Sequence, residues 1–575
     1  MPRSRIDHLL LLKRLFRLTR VFFKGKETRK AKVWLAALAA LSVAIGLVQI
    51  VMSYAGRDFI TTLTQRDEAG WLRAMWRYIG TFALSVPIAV FYRYCGERLS
   101  LSCRTHMTEL LVKRYFFNKA YYGLRGTEAV DNPDQRISED IRVFTTMVVN
   151  FALIFVNSCV TLFAFVGVLW TISGQLVSAL FLYSIIGTTL SILIGKRLVG
   201  LHYEQYRKEA NFRYSLIRVR DNAESIAFYH GEKREQSDIL RRFRDVLTNT
   251  LWVIGWNRNL GFFTNSYNYI ALLIPALIVG PMYMRGAVEF GVVTQSENAF
   301  AQVLAALSVI VAQFDGLSTF AASIQRLGIL WDNLDDFDAE QKREAEEAEI
   351  EVSKRGSRLV LADLTVKIPG DDGKELARGL SFELPPGKSL FITGESGVGK
   401  SSLLRTIAGL WNPGGGSIDR PALNRMMFLP QKPYMLQTDL RGQLMYPDEA
   451  KEADDKEIKA MLKQVNLKEI FDRVEGNLKK IVDWTNVLSL GEQQRVSFAR
   501  LFLKKPALAF LDEATSALGE DDERLLYEHL RESGISYVSV GHRDALREFH
   551  DYTMLLQKDG TFEVKKVRSG NGSHK

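Results

Sequence analysis

From Val143 to Gly195 the chain runs for 53 residues without an aspartate, glutamate, lysine or arginine. A bilayer-crossing helix needs about 20 apolar residues, so this run is too long for one span and long enough for two. Thr171-Ile-Ser-Gly-Gln175 supplies turn residues near its middle, which predicts a tight hairpin there. Other uncharged runs are Val33–Gly56, Tyr78–Tyr92, Asn259–Met284 and Asn298–Phe314. Buried helices of a soluble core rarely lose charge so often in one half of a chain, and six spans are expected. Overall composition hides this, because 47% hydrophobic and 24% charged residues would also suit a large soluble enzyme. The mean hydropathy of -0.03 is then the average of an apolar half and a polar half.

The net charge of +10 invites a nucleic-acid reading. Its placement argues for a membrane instead. The first 32 residues hold eleven Lys/Arg and two acids, or +9. Leu9–Leu12, Leu15, Leu18, Val21 and Phe22 fall largely on one helical face among them, as in a helix lying on the inner leaflet. The positive-inside rule puts the N-terminus in the cytoplasm, and no nucleic-acid partner is expected. Alternation makes loops 97–142 and 196–258 cytoplasmic. Both are long and rich in Arg and Lys, whereas the 171–175 loop carries no charge. They read as helical extensions, and Asp134, Gln135, Arg136 and Glu224 are candidates for coupling to a cytoplasmic unit or for ordinary exposed surface. Arg93 and Asp315 lie in or beside apolar spans, either on a translocation path or near span ends where a charged head reaches water. Cys95, Cys103 and Cys159 are too few for a disulfide framework or a metal knuckle and read as small buried residues.

Composition divides the chain into a basic amphipathic segment 1–32, a six-span region 33–330, an acidic linker 331–356 and a polar domain 357–570. In the last of these, the apolar Ser389–Thr393 leads into Gly394-Glu-Ser-Gly-Val-Gly-Lys-Ser401 and a predicted helix from Ser402. This is a phosphate loop in its strand–loop–helix setting. Backbone N–H groups of Gly394, Glu395, Ser396, Gly397, Val398 and Gly399 can turn inward around phosphates, and Ser402 begins the helix behind them. Lys400 reaches the outer phosphates, and the Ser401 hydroxyl suits Mg²⁺. A second apolar run, Ala507–Leu511, ends in Asp512-Glu513, where Asp512 suits Mg²⁺ and Glu513 a general base. A third, Ser536–Val540, ends before His542, placed to meet a terminal phosphate. Gln431 lies between the two nucleotide motifs and suits Mg²⁺ or water contact.

Together with Leu488-Ser-Leu-Gly-Glu-Gln-Gln-Arg495, and in this order, these motifs resemble the ATPase domain of an ABC transporter. The resemblance covers the whole chain and implies an exporter-type helical membrane domain of six spans fused to an α/β P-loop ATPase domain, with ATP and Mg²⁺ as cofactors. It also implies that Ser489 and Gly491, with Glu492 beside them, face ATP held by a second subunit, so that a homodimer is the simplest assembly. Four positions depart from the family pattern: Leu490 and Glu492 in the signature segment, Gly519 where an aspartate is usual, and Ile368 where an aromatic ring usually stacks on adenine. Asn132–Ile137, Glu224–Tyr229 and Phe428–Tyr434 are similar to subfamily D, most of all to the bacterial SbmA/BacA-like branch that carries its own ATPase. That likeness implies a bacterial inner-membrane protein taking up a bulky solute such as a peptide, a glycopeptide or cobalamin. Export, very-long-chain fatty acyl-CoA or another lipid-like cargo, or a membrane-anchored ATPase that gates without pumping, are the alternatives.

Overall fold

The computed structural model describes residues 8–22, 28–124, 132–308, 313–346, 350–354, 356–369, 374–448 and 454–567. It divides into two compact units, Met1–Ala339 and Glu340–Lys575.

The first unit is helical. A short helix, His8–Val21, precedes long ones at Thr28–Thr64, Glu68–Phe116, Ile141–Ile172, Gly174–Asp221 and Glu232–Met284. The 49-residue Glu68–Phe116 helix is about 73 Å long at 1.5 Å per residue, far beyond a hydrocarbon core of about 30 Å. The predicted hairpin is Ser173 alone, extended between two helices, with its hydroxyl accepting from the Gln175 N–H. Among the described residues, five helices are long and apolar enough to cross a membrane. The expected sixth is less apolar: Phe290–Leu307 carries Gln295, Ser296, Glu297 and Asn298 in succession, and a new helix, Phe314–Glu346, begins after residues outside the description. Phe163, Leu277 and Met284 point outward, as befits helices solvated by lipid tails rather than water.

Inside this unit, Leu18, Met107, Ile141, Phe144 and Leu327 share one core, and Leu169, Leu180, Val279 and Phe300 another. Tyr183 and Tyr267 stack at 4.4 Å, and the Tyr183 hydroxyl donates to the Tyr267 carbonyl at 2.6 Å. Gly187 permits this, because a Cβ there would lie 2.1 Å from the Tyr267 ring. The acidic stretch from Trp331 starts as packed helix. Asp332 accepts from Arg14 and Arg17, and Asp335 and Asp338 accept from Arg114.

The second unit holds two main sheets. Its strands are β1 (Ile350–Ser353), β2 (Leu359–Lys367), β3 (Glu375–Leu384), β4 (Ser389–Thr393), β5 (Gly414–Asp419), β6 (Met426–Leu429), β7 (Gln437–Thr438), β8 (Val482–Asp483), β9 (Leu508–Asp512), β10 (Ser536–Val540), β11 (Tyr552–Leu556) and β12 (Phe562–Lys566). One sheet has the order β1-β5-β2-β3. The other is β12-β11-β4-β10-β9-β6, parallel from β11 to β6 and edged by antiparallel β12. Every residue of β10, and all of β4 but Thr393, is buried, which accounts for their lack of any charged residue. Because β4, β10, β9 and β6 are neighbours, the loops at their C-terminal ends meet on one edge of the sheet.

Candidate functional site

The phosphate loop leaves β4 at Gly394, whose φ is 150° and where a Cβ would lie 2.3 Å from the Leu556 carbonyl oxygen. Only glycine lets the chain turn so close to β11. The loop closes on the Lys400–Ile407 helix, and Lys400 donates to the Gly394 and Glu395 carbonyls, each at 2.8 Å. Burial holds the Lys400 ammonium below its ordinary pKa, although Glu513 and Asp512 favour its charge. The lysine is thus tied across the loop, poised for a phosphate that would restore its charge balance.

Ser401 donates to Asp512 Oδ1 at 3.0 Å. Burial raises the Asp512 pKa, with the Glu513 charge adding to it and the Ser401 hydroxyl opposing. A hydroxyl and a carboxylate side by side are hard oxygen donors and fit Mg²⁺, which is usually held by one or two protein oxygens together with phosphates. Among the described residues no group of three or more His, Cys, Asp or Glu could hold a metal alone.

Glu513 follows in a left-handed conformation, φ 47°, which costs a non-glycine residue roughly 1–2 kcal/mol. Its N–H is fixed to the Val540 carbonyl at 3.0 Å, so β10 holds the strained turn. The carboxylate then accepts from Gln431 Nε2 at 2.9 Å and lies 3.3 Å from His542 Nε2. Four segments spread over more than a hundred residues thus bring Lys400, Ser401, Gln431, Asp512, Glu513 and His542 together. A cavity of about 260 Å³ opens beside them, lined also by Ser396, Gly397, Gly399, Ser402, Ile368, Leu376 and Trp411. A larger cavity of about 450 Å³ in the first unit is lined mostly by apolar residues, Phe151, Phe155 and Leu162 among them, with Ser158, Cys159 and Gln313.

Ser489 caps the Leu490–Lys504 helix, accepting from the Glu492 N–H, while Glu492 accepts from the Ser489 N–H at 2.8 Å. Glu492 also pairs with Arg473 at 2.7 Å. Burial opposes its ionisation, yet Arg473 and Ser489 together hold its pKa below the ordinary glutamate value. Gln494, fully buried, was not singled out from the sequence. Its amide nitrogen donates to the Gln431 carbonyl and the Ser516 hydroxyl, and its oxygen accepts from the Ala517 N–H. It ties the signature helix to two loops of the site, and its place in the Leu488–Arg495 motif was the available signal.

The other candidates lie in the first unit. Asp134 and Gln135 belong to a single turn, Pro133–Gln135, and Arg136 reaches Asp140 at 3.4 Å. Glu224 is exposed on the Ala223–Phe228 helix, beside the exposed Phe228 and Tyr229. Arg93 is exposed and pairs with Glu97 at 2.9 Å. Asp315 starts the Phe314–Glu346 helix, and its side chain lies outside the described residues.

Residues 18–284 match the ABC transporter transmembrane region 2 family, and residues 377–516 match the ABC transporter family. An uncharacterized ABC transporter ATP-binding protein of Synechocystis sp. is 40% identical over 93% of this chain and 82% of its own length. The chain belongs to the ABC transporter family. This transporter is also 36% identical to the chloroplastic ABC transporter D family member 2 of Arabidopsis thaliana, over 95% of this chain and 86% of that protein. It is 30% identical to the lysosomal cobalamin transporter ABCD4 of Homo sapiens, over 98% of both. It is therefore a multi-pass membrane protein with an exporter-type fold, whose ATPase domain binds and hydrolyses ATP to drive transport. One of the transporter's departures has a local account. Glu492 completes a reciprocal cap and an ion pair, and Gly519 precedes the Glu520–Glu532 helix without a side-chain cap.

Proposed function

We propose that two copies of this chain form a bacterial inner-membrane transporter that takes up a bulky solute, with a cobalamin-like molecule as the first candidate. The observation that carries the chemistry is the Gln431–Glu513–His542 contact set beside the Ser401–Asp512 pair. Glu513 takes a proton from water as the water oxygen bonds to the γ-phosphorus. The bond from that phosphorus to the β–γ bridging oxygen breaks, and ADP and phosphate leave. Lys400 and the loop N–H groups hold phosphate charge, Gln431 orients Glu513, and His542 meets the terminal phosphate. Ser401, Asp512 and Gln431 would hold Mg²⁺, which when bound neutralises charge on the β- and γ-phosphates.

Dimerisation is supported by the position of Ser489, Gly491 and Glu492, none of which lines the cavity of its own phosphate loop. Each set then closes on ATP held by the partner copy. Hydrolysis reopens the pair, and the cytoplasmic extensions, Asp134–Arg136 and Glu224 among them, pass the movement to the spans. The domains divide as 1–32, 33–330, 331–356 and 357–570. Arg93 and Asp315 remain candidates for the solute path. The cobalamin reading rests on the name of the human relative and on its alignment over nearly both whole chains.

In the purified, reconstituted protein Glu513→Gln should lower ATP turnover at least about 100-fold while leaving ATP binding intact. A turnover rate near wild type would sink the assignment. Solute-stimulated ATPase with accumulation in proteoliposomes supports pumping, whereas ATP turnover without accumulation of any tested solute favours a gate.

A further inference from the structure

The family's usual adenine-stacking position holds Ile368, an aliphatic side chain that offers no π-face. The cavity beside the phosphate loop nevertheless contains an indole. Trp411 lines it together with Ile368, Leu376, Lys400 and Ser401. Among the described lining residues the other ring is His542, which sits at the catalytic end next to Glu513.

Strand pairing accounts for this placement. β2 and β5 run antiparallel with Val366 opposite Gly414, and the Lys367 N–H continues the ladder to the Pro413 carbonyl at 3.2 Å. Trp411 stands two residues before Pro413, so it arises from the segment that leads into β5 beside the end of β2. The Arg405 guanidinium, from the helix that begins at Lys400, lies 5.4 Å from the indole centroid. A cation on an aromatic face restricts the ring and lowers the cost of ordering it around a ligand.

We propose that Trp411 is the platform on which the adenine ring of ATP stacks in this chain, from the same cavity that the aliphatic Ile368 lines. The proposal rests on the ATP-binding reading of the phosphate loop and adds the residue that recognises the base. Every nucleobase has a π-face, so stacking here strengthens binding without reading the base edge closely.

Binding to the detergent-solubilised full chain should be measured with MgATP and, separately, inorganic tripolyphosphate, which keeps the phosphates and lacks the base. Trp411→Ala should weaken MgATP at least about tenfold and leave tripolyphosphate unchanged, while Trp411→Phe stays within about threefold of wild type for both. Adding an aromatic opposite, Ile368→Tyr in the Trp411→Leu background, should recover most of the lost ATP affinity. The proposal is overturned if Trp411→Ala binds MgATP like wild type, or if it loses both ligands equally. Should the alanine variant not fold, Trp411→Leu binding MgATP as tightly as Trp411→Phe overturns it. A wild-type protein that binds neither ligand would remove the ATP-site reading itself, a separate failure.

Discussion

His550 is buried among Phe391, Tyr527 and Tyr537, with Nδ1 2.7 Å from the Leu546 carbonyl and Nε2 2.9 Å from the Ser539 hydroxyl. Burial pulls its pKa from 6.5 down to about 4, although the Leu546 carbonyl and Asp551 favour the charged ring. Between those values the unfolded chain binds the proton and the folded chain does not. Stability therefore falls as pH drops from about 6.5 towards about 4, by at most ~1.4 kcal/mol per pH unit from this group, and is unaffected above that window. Denaturant unfolding between pH 7 and 5 should show this slope, and His550→Gln should flatten it; parallel slopes would remove His550 as the cause. The contrast with His542 shows what a sequence can say about a histidine. His542 was readable because it follows an apolar strand downstream of Asp512-Glu513, whereas His550 gave no such sign. Its character comes from β10 and the aromatic side chains that enclose it. Gln494 is similar: the motif marks its segment, but only packing shows that one amide joins the loops of Gln431 and Ser516.

Among the elements, the junction of the Ile141–Ile172 and Phe314–Glu346 helices combines the apolar core shared by Ile141, Phe144 and Leu327 with a partly buried ion pair. Asp140, 1% exposed, accepts two hydrogen bonds from Arg326 and lies near Arg136. Asp140→Ala leaves Arg136 and Arg326 without their carboxylate, and because water reaches the 40% exposed Arg326 the loss should be about 1–3 kcal/mol. The exposed Arg142–Glu139 pair should be removable with little effect, because water replaces it. Thermal unfolding of the two alanine variants in detergent separates the cases, and equal Tm values would count against a structural role for Asp140. At this scale the sequence was informative about where helices run and uninformative about what they touch. The acidic stretch from Trp331 suggested a helix end running into a linker. Its acids instead hold the helix against Arg14, Arg17 and Arg114 through Asp332, Asp335 and Asp338, and the helix continues to Glu346.

For the whole molecule, the proposed dimer predicts a pattern of complementation. A chain carrying Lys400→Ala paired with one carrying Gly491→Asp retains one site with an intact phosphate loop and an intact partner signature. Placing both changes on one chain, opposite a wild-type copy, damages both sites. Differently tagged copies purified as mixed pairs should therefore show measurable ATPase in the first arrangement and background rates in the second. The reverse pattern, background rates in the first arrangement and activity in the second, would argue that each chain completes its own site.

The membrane half and the nucleotide motifs were legible because they are local. Uncharged runs reflect lipid as solvent, and a phosphate loop is a short stretch of backbone. The tertiary structure decided everything that depends on strands and helices meeting across long separations. Ser401 and Asp512 are 111 residues apart and share a hydrogen bond because β4 and β9 flank β10. Ile368 and Trp411 face one cavity because β2 and β5 pair. Periodicity and motif spacing record a residue's solvent and its chain neighbours. The partner it gains from a distant strand is set by sheet order and packing, which no single segment carries.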